Sequence, residues 1–295
     1  MKPTGTGALT MRLCSRCNRR PAVFFRSASG EALCRSCLWD EVSASSSKAF
    51  KDVELRPTSR FLVPLSSFAP SASLLAALVL AHVERRFPST VLLAMPSFYD
   101  VTLPRDLPFN LKAIRFTVSP APPTRASLIS CLRYDRAWAL RAASLVGADV
   151  VVLPLSRTDL TGVLLEGLLT GTPEASFDAQ PSAEVGRVKV VGLFSNLERE
   201  SVAALEYLEG VSLRPACDIE WKTKPVMMSI AGAPERDYGA LEVAPRIVRL
   251  VSRPSSCSAC GAPAEGPLCS YCLRLGLDRL SVSLASPPGQ GLEPP

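Results

Sequence analysis

The sequence has no apolar run long enough to cross a bilayer. A spanning helix needs about 18 such residues, and the longest candidate, Ser71 to Val83, has 13. No membrane partner is therefore expected. The first residues, MKPTGTGALTMRLCSRC, lack the apolar core of a secretory signal, so the expected location is the cytoplasm and the expected state of the thiols is reduced. Histidine is scarce as well. His82 is the only one, it sits inside an apolar helical pattern with no acid beside it in sequence, and it reads as structural. Neither sign of charge dominates: 33 Lys and Arg against 27 Asp and Glu leave +6, which favours an acidic partner, nucleic acid first, without establishing one. With 47% hydrophobic and 20% charged residues, the 295-residue chain has the composition of a folded protein of one large or two smaller domains.

Cysteine is what the chain has in quantity. Eight of its ten cysteines fall into four Cys-x-x-Cys pairs that bracket the sequence: Cys14, Cys17, Cys34 and Cys37 at one end, Cys257, Cys260, Cys269 and Cys272 at the other. Each tight knuckle points two thiolates the same way, and two knuckles supply the four soft ligands of a tetrahedral zinc. Two structural Zn2+ ions are expected, with no open coordination position for catalysis. Between the first pairs, Pro21 to Arg26 reads as a strand and Ser27 to Gly30 as a turn, giving a hairpin that brings the knuckles together. Arg16, Arg19, Arg20, Arg26 and Arg35 on this finger, beside Phe24 or Phe25, are candidates for holding RNA phosphates and stacking on bases; a solvated basic face is the plainer alternative.

From about residue 60 to residue 252 the texture changes to strands alternating with helices. Phe61–Leu65, Val91–Met95, Leu111–Val118, Asp149–Pro154 and Val188–Leu193 read as strands; Ala72–Arg86, Ala126–Leu145, Thr158–Leu169 and Leu197–Leu208 read as helices. That alternation predicts an α/β domain with a mostly parallel sheet covered on both faces. Residues 172–187 read as a loop. The boundaries expected are a zinc finger over 1–50, the α/β domain over 51–252, a zinc ribbon over 253–280 and a disordered Pro/Gly tail over 281–295.

This layout resembles the tRNA 2-thiolation family, which includes the TtuA enzymes and the two cytosolic thiouridylase subunits of eukaryotes, in the PP-loop superfamily. CSRCNRRPAVFFRSASGEALCRSCL is similar to that family's N-terminal finger and CSACGAPAEGPLCSYC to its C-terminal one. CLRYDRAWALRAASLVGAD, from Cys131, is similar to its cysteine-led, Arg-rich helix, and NLERESVAALEYLEGVSLRPAC to the late helix before its second active-site cysteine, here Cys217. The resemblance implies an adenine-nucleotide-hydrolase type of fold, an ATP-dependent sulfurtransferase and a ubiquitin-like sulfur carrier as donor.

The family's phosphate loop, SGGxDS, corresponds here to Ser66-Ser67-Phe68-Ala69-Pro70-Ser71. Ser66 and Ser71 remain, but both glycines and the aspartate are gone, and Pro70 removes an N–H donor. A second loop keeps Asp159 alone, and an Asp beside a helix start is ordinarily a cap. ATP is not expected to bind. Nor is an iron–sulfur cluster, because Leu128 replaces the first cysteine of the family's CxxC and leaves Cys131 and Cys217 alone. These two thiols are the catalytic candidates, to carry a persulfide or form a transient disulfide with Arg133 and Arg136 supplying a positive field, or else vestigial and buried. Trp221 reads as a packing residue or a base-stacking one. The leading expectation is a tRNA-binding, non-catalytic subunit or paralogue that partners a catalytic homologue or itself. The alternatives are an active tRNA 2-thiouridine synthase and a zinc-ribbon adaptor for proteins.

Overall fold

The computed structural model describes residues 12–101, 103, 107–220, 234–251 and 255–285. Trp221 and the last part of the tail lie outside them. The first two cysteine pairs are joined by the expected hairpin, β1 (Phe24–Phe25) antiparallel to β2 (Ala32–Leu33), with Phe24 facing Leu33. Alternation along β1 buries Phe24 and exposes Phe25. Helix α1 (Arg35–Lys48) leaves the second knuckle and buries Leu38 and Val42.

Chain order then gives β3 (Arg60–Pro64), α2 (Pro70–Val83), β4 (Thr90–Pro96), β5 (Leu111–Ser119), β6 (Arg125–Ala126) and α3 (Leu128–Val146). After these come β7 (Val150–Ser156), α4 (Arg157–Leu169), β8 (Ser182–Val185), β9 (Val188–Phe194), α5 (Arg199–Leu208) and β10 (Asp218–Ile219). The C-terminal part holds α6 (Pro234–Leu250), β11 (Ser255–Ser256), β12 (Pro263–Ala264), α7 (Ser270–Arg274) and β13 (Ser281–Leu284).

The main sheet has seven strands in the order β13-β5-β4-β3-β7-β9-β8. Its five central strands are parallel and the two outer ones antiparallel. This is the α/β class with a mostly parallel sheet that the alternation predicts. Two stretches differ from the sequence reading. The presumed loop over 172–187 contains the edge strand β8, and the start of the presumed tail, Ser281–Leu284, is the opposite edge strand, paired with Phe116–Ser119 of β5. Both are short polar strands, whose pairing depends on a neighbour's free edge more than on their own residues.

Because β3, β4 and β7 are buried on both faces, alternate residues serve different cores. Phe61, Val63, Val150 and Val152 face a layer built from α1, α2, α5 and the N-terminal finger. Leu62, Val151 and Leu153 face α3, α4 and the C-terminal finger. The two cysteine modules thus sit on opposite faces of one sheet. The chain runs outward from β3 through β4 to β5, then returns to β7, so the strand order reverses at the carboxyl ends of β3 and β7. In open α/β sheets that reversal opens the crevice where ligands bind.

The C-terminal finger packs on the end of β8 through Gly261, which has φ +77° and faces Val185; a β-carbon there would collide with the valine side chain. Gly261→Ala is expected to destabilise the protein by about 1–3 kcal/mol, from backbone strain and overpacking together. Gly171→Ala, at φ +68° in open space, carries the backbone part alone and should lose about 1 kcal/mol. Denaturant midpoints measured for both variants check the difference.

Candidate functional site

Two loops meet at the crevice: residues 65–69 after β3, and the turn from β7 into α4. Ser66 and Ser67 are buried. Their surroundings account for the backbone donors from Ser66 to Ala69. The N–H of Ser66 donates to Ser73 Oγ at 2.9 Å, and that of Ser67 to Asp135 Oδ2 at 2.9 Å. The N–H groups of Phe68 and Ala69 both donate to Ser66 Oγ, at 3.3 and 3.1 Å. Ser66 Oγ itself donates to Asp135 Oδ2 at 2.6 Å. Pro70, at the first turn of α2, has none to give.

Asp135 is the residue that sequence reasoning missed. It projects from α3 one turn after Cys131 and places a carboxylate against the turn that a phosphate loop would offer to an anion. Complete burial pushes its pKa up, and the Ser66 and Ser67 donors pull it down in part, leaving it raised to about 6. The available signal was an acid on the face that Cys131 shares at i, i+4 spacing in an otherwise apolar stripe. Tyr99 closes the arrangement from β4's end: its hydroxyl donates to the carbonyls of Ser66 and Ser67 at 2.9 and 3.1 Å. Ser71 is turned aside, accepting from the Leu213 N–H at 2.8 Å.

Asp159 closes a capping box on α4. Its carboxylate accepts from the Ser156 N–H at 2.9 Å and the Ser156 hydroxyl at 2.6 Å, while its own N–H donates back to Ser156 Oγ.

Cys131 and Cys217, 86 residues apart in sequence, are joined as a disulfide with their α-carbons 6.5 Å apart, and both are buried. The link lies against the same loop, since the N–H groups of Ala216 and Cys217 donate to the Ser67 carbonyl at 2.8 and 2.9 Å. The expected positive field around Cys131 is absent from this arrangement. Arg133 and Arg136 point to the other side of α3, where both bind Asp178, at 2.8 and 2.6 Å. At about 100° per residue, position 133 falls on nearly the opposite side of a helix from position 131. Leu128 is a buried core residue.

Each four-cysteine set gathers its sulfur atoms within 4.8 Å of one another. Cys17 and Cys34 are 3.9 Å apart and Cys260 and Cys269 3.8 Å, the spacing of thiols that share an ion. At the first centre, burial opposes ionisation of Cys14, but the N–H groups of Cys17, Cys34 and Arg16 outweigh it and bring the thiol down to about 6. Burial and the neighbouring thiols push Cys37 up to about 12. A bound cation removes that conflict by holding all four as thiolates.

The basic candidates on the first finger divide. Arg16 pairs with Glu41 at 3.1 Å, and Arg26 is enclosed between Glu31 and Glu41. Arg35 forks onto Glu209 at 2.8 Å. Arg20 donates to Ser36 Oγ, and Arg19 and the Phe25 ring of β1 are both exposed on this finger. His82 packs edge-on against Trp39 with ring centres 5.8 Å apart. Among the described residues no helix is long and apolar enough to cross a membrane.

With this geometry in view, the chain is similar to the solved structure of the U34-tRNA thiolase NcsA from Methanococcus maripaludis with its [4Fe-4S] cluster. The TM-score is 0.63 at 16% identity, over 90% of this chain and 97% of that one. The chain has the fold of that thiolase. No protein-family model and no curated protein matches its sequence. The similarity bears out the fold implied by the sequence resemblance and corrects one expectation. An iron–sulfur cluster had been given no place, yet the structural neighbour carries one. All-thiolate sets such as the two found here suit an iron–sulfur cluster as well as zinc.

Two outcomes follow for the purified protein. Cys34→Ser and Cys269→Ser should each release the metal of one centre and leave the other loaded, with elemental analysis of zinc and iron identifying what each holds. For Asp135, a carboxyl whose folded pKa lies above its unfolded one favours folding while protonated. That contribution is present below about pH 4 and is lost as pH rises through about 6. The stability of Asp135→Asn relative to the parent should therefore improve by about 2 kcal/mol between pH 4 and 7, for a shift of about two units. Paired denaturation curves across that range check it, and a flat difference contradicts it.

Proposed function

We propose that this protein binds tRNA as a non-catalytic component of a tRNA uridine-thiolation assembly, in partnership with a homologue that retains ATP and sulfur chemistry. The observation carrying this reading is the occupied anion turn. Donors from Ser66 to Ala69 are committed to side chains of the chain itself, and the Asp135 carboxylate would repel a phosphate brought to the same place. The likeness in fold to a U34-tRNA thiolase supports tRNA as the class of substrate. Arg19 and Arg20, with the exposed Phe25, are the tRNA contacts of this reading: the guanidinium groups take phosphates and the ring stacks on an unpaired base.

A second reading, an active sulfurtransferase, is favoured by one observation: Cys131 and Cys217 meet beside the crevice. In that case the sulfur of a thiocarboxylate would attack the disulfide at one cysteine and release the other as a thiolate, the disulfide itself being the oxidant; a ubiquitin-like carrier is the donor that the sequence resemblance suggests.

The test is made with the purified chain alone and then with its catalytic homologue. Binding of tRNA should weaken about 10-fold in Arg19→Ala/Arg20→Ala, with a shallower dependence on salt. ATP–pyrophosphate exchange and thiolation should be absent from the chain alone. Exchange by the chain alone overturns the non-catalytic reading, and binding indifferent to salt and to both arginines overturns the RNA-binding one in favour of a protein adaptor.

A further inference from the structure

The C-terminal cysteine centre is buried against the α/β domain, where water screens it weakly. Cys257, Cys260, Cys269 and Cys272 are all buried, in one cluster with Trp138 and Ala142 of α3. Four thiolates on a divalent ion carry a net charge of about −2, and a buried charge is tolerated when partners compensate it. The compensating positive charges come from one helix, beside the Cys272 N–H that also donates to Cys269 Sγ at 3.5 Å. Arg133 donates from Nη1 to Cys269 Sγ at 3.3 Å and from Nε to Asp178 at 2.8 Å, and lies over the ring of Tyr271 with its guanidinium carbon 4.6 Å from the centroid. Arg136 donates to the other Asp178 oxygen at 2.6 Å and covers Phe177. Two guanidinium groups against one carboxylate leave a positive balance on the side that faces the thiols. The N-terminal centre is built differently: Arg16 reaches the Cys37 carbonyl oxygen, and Cys17 is partly open to solvent.

The geometry points to Arg133 as a positioning residue of the C-terminal metal centre, its N–H···S bond to Cys269 tying retention of that metal to helix α3. The donor lowers the energy of the thiolate lone pair and fixes the direction of the Cys269 side chain. Asp178 orients the guanidinium in turn, as outer partners of metal ligands commonly do. Because the opposite face of α3 carries Cys131 and Asp135, one rigid element carries both the metal module and the crevice.

The experiment compares the two centres within one protein. Chelator is titrated against the metal-loaded chain, and exposed thiols are alkylated and assigned peptide by peptide. In Arg133→Met the C-terminal thiols should become reactive at a chelator concentration about 10- to 100-fold lower than in the parent, while Cys14, Cys17, Cys34 and Cys37 are unchanged. With cobalt loaded in place of the native metal, the thiolate-to-cobalt absorption should move to lower energy, a change that loss of packing alone does not produce. Arg133→Lys, which keeps the charge and loses the fork, should fall between the two. Arg274→Met, removing the exposed guanidinium on the same Tyr271 ring, should leave retention and spectrum as in the parent. Equal loss at both centres, or unchanged retention with an unshifted band in Arg133→Met, overturns the assignment. Should that variant fail to fold, an unshifted band in Arg133→Lys overturns it.

Discussion

A carboxylate with no water around it has to be surrounded by donors, and around Asp135 that requirement organises the crevice. Ser66 turns its hydroxyl and Ser67 its N–H inward to meet it. Tyr99 then has to cap the carbonyls left pointing the other way, and the chain entering β10 adds two more N–H groups to the Ser67 carbonyl. The loop, the end of β4, helix α3 and the segment carrying Cys217 are held by one chain of hydrogen bonds. The disulfide to Cys131 lies at its end. Such networks are stable when every member is satisfied and fail together when one is removed. The shape of the crevice is therefore set from behind, by a side chain that contributes nothing to its rim.

Most of the fold was legible because the signals were local. Apolar runs of five to seven residues marked the buried strands, and Cys-x-x-Cys spacing marked both metal modules, since a knuckle is made by adjacent residues. The crevice was legible in outline: a degraded phosphate loop was visible from the loss of its glycines. What replaced the phosphate was not visible, because Asp135 reaches Ser66 across 69 residues of sequence. The same holds for Arg133 and Arg136, assigned from proximity in sequence to Cys131. A helix rotates neighbours two positions apart to nearly opposite sides, and their partner Asp178 lay in a stretch read as featureless loop. Likewise, sequence reasoning grouped Arg16 and Arg26 with Arg19 and Arg20 as one basic face, whereas Glu41, from the helix after the hairpin, takes the first two.

Helix α3 emerges as the element on which both sides depend. Cys131 and Asp135 face the crevice, and Arg133 and Arg136 face the finger with their shared Asp178. Buried charges on both sides make its rotation or translation expensive, because removing one member of such a pair costs about 3–5 kcal/mol. The structural neighbour, solved with its [4Fe-4S] cluster, and this chain, with its two all-cysteine modules, share one fold.

Strand β13 carries the last consequence. It comes after the C-terminal finger in sequence, yet it pairs with β5 and covers one edge of the main sheet. The sheet is thus not a contiguous piece of polypeptide: its central strands are made early, and one border is supplied only after the cysteine module has been synthesised. A chain ending before Ser281 would leave the nine-residue β5 with a row of open N–H and C=O groups, the template on which edge-to-edge association begins. The C-terminal module therefore does more than hold metal, since its exit segment seals the sheet.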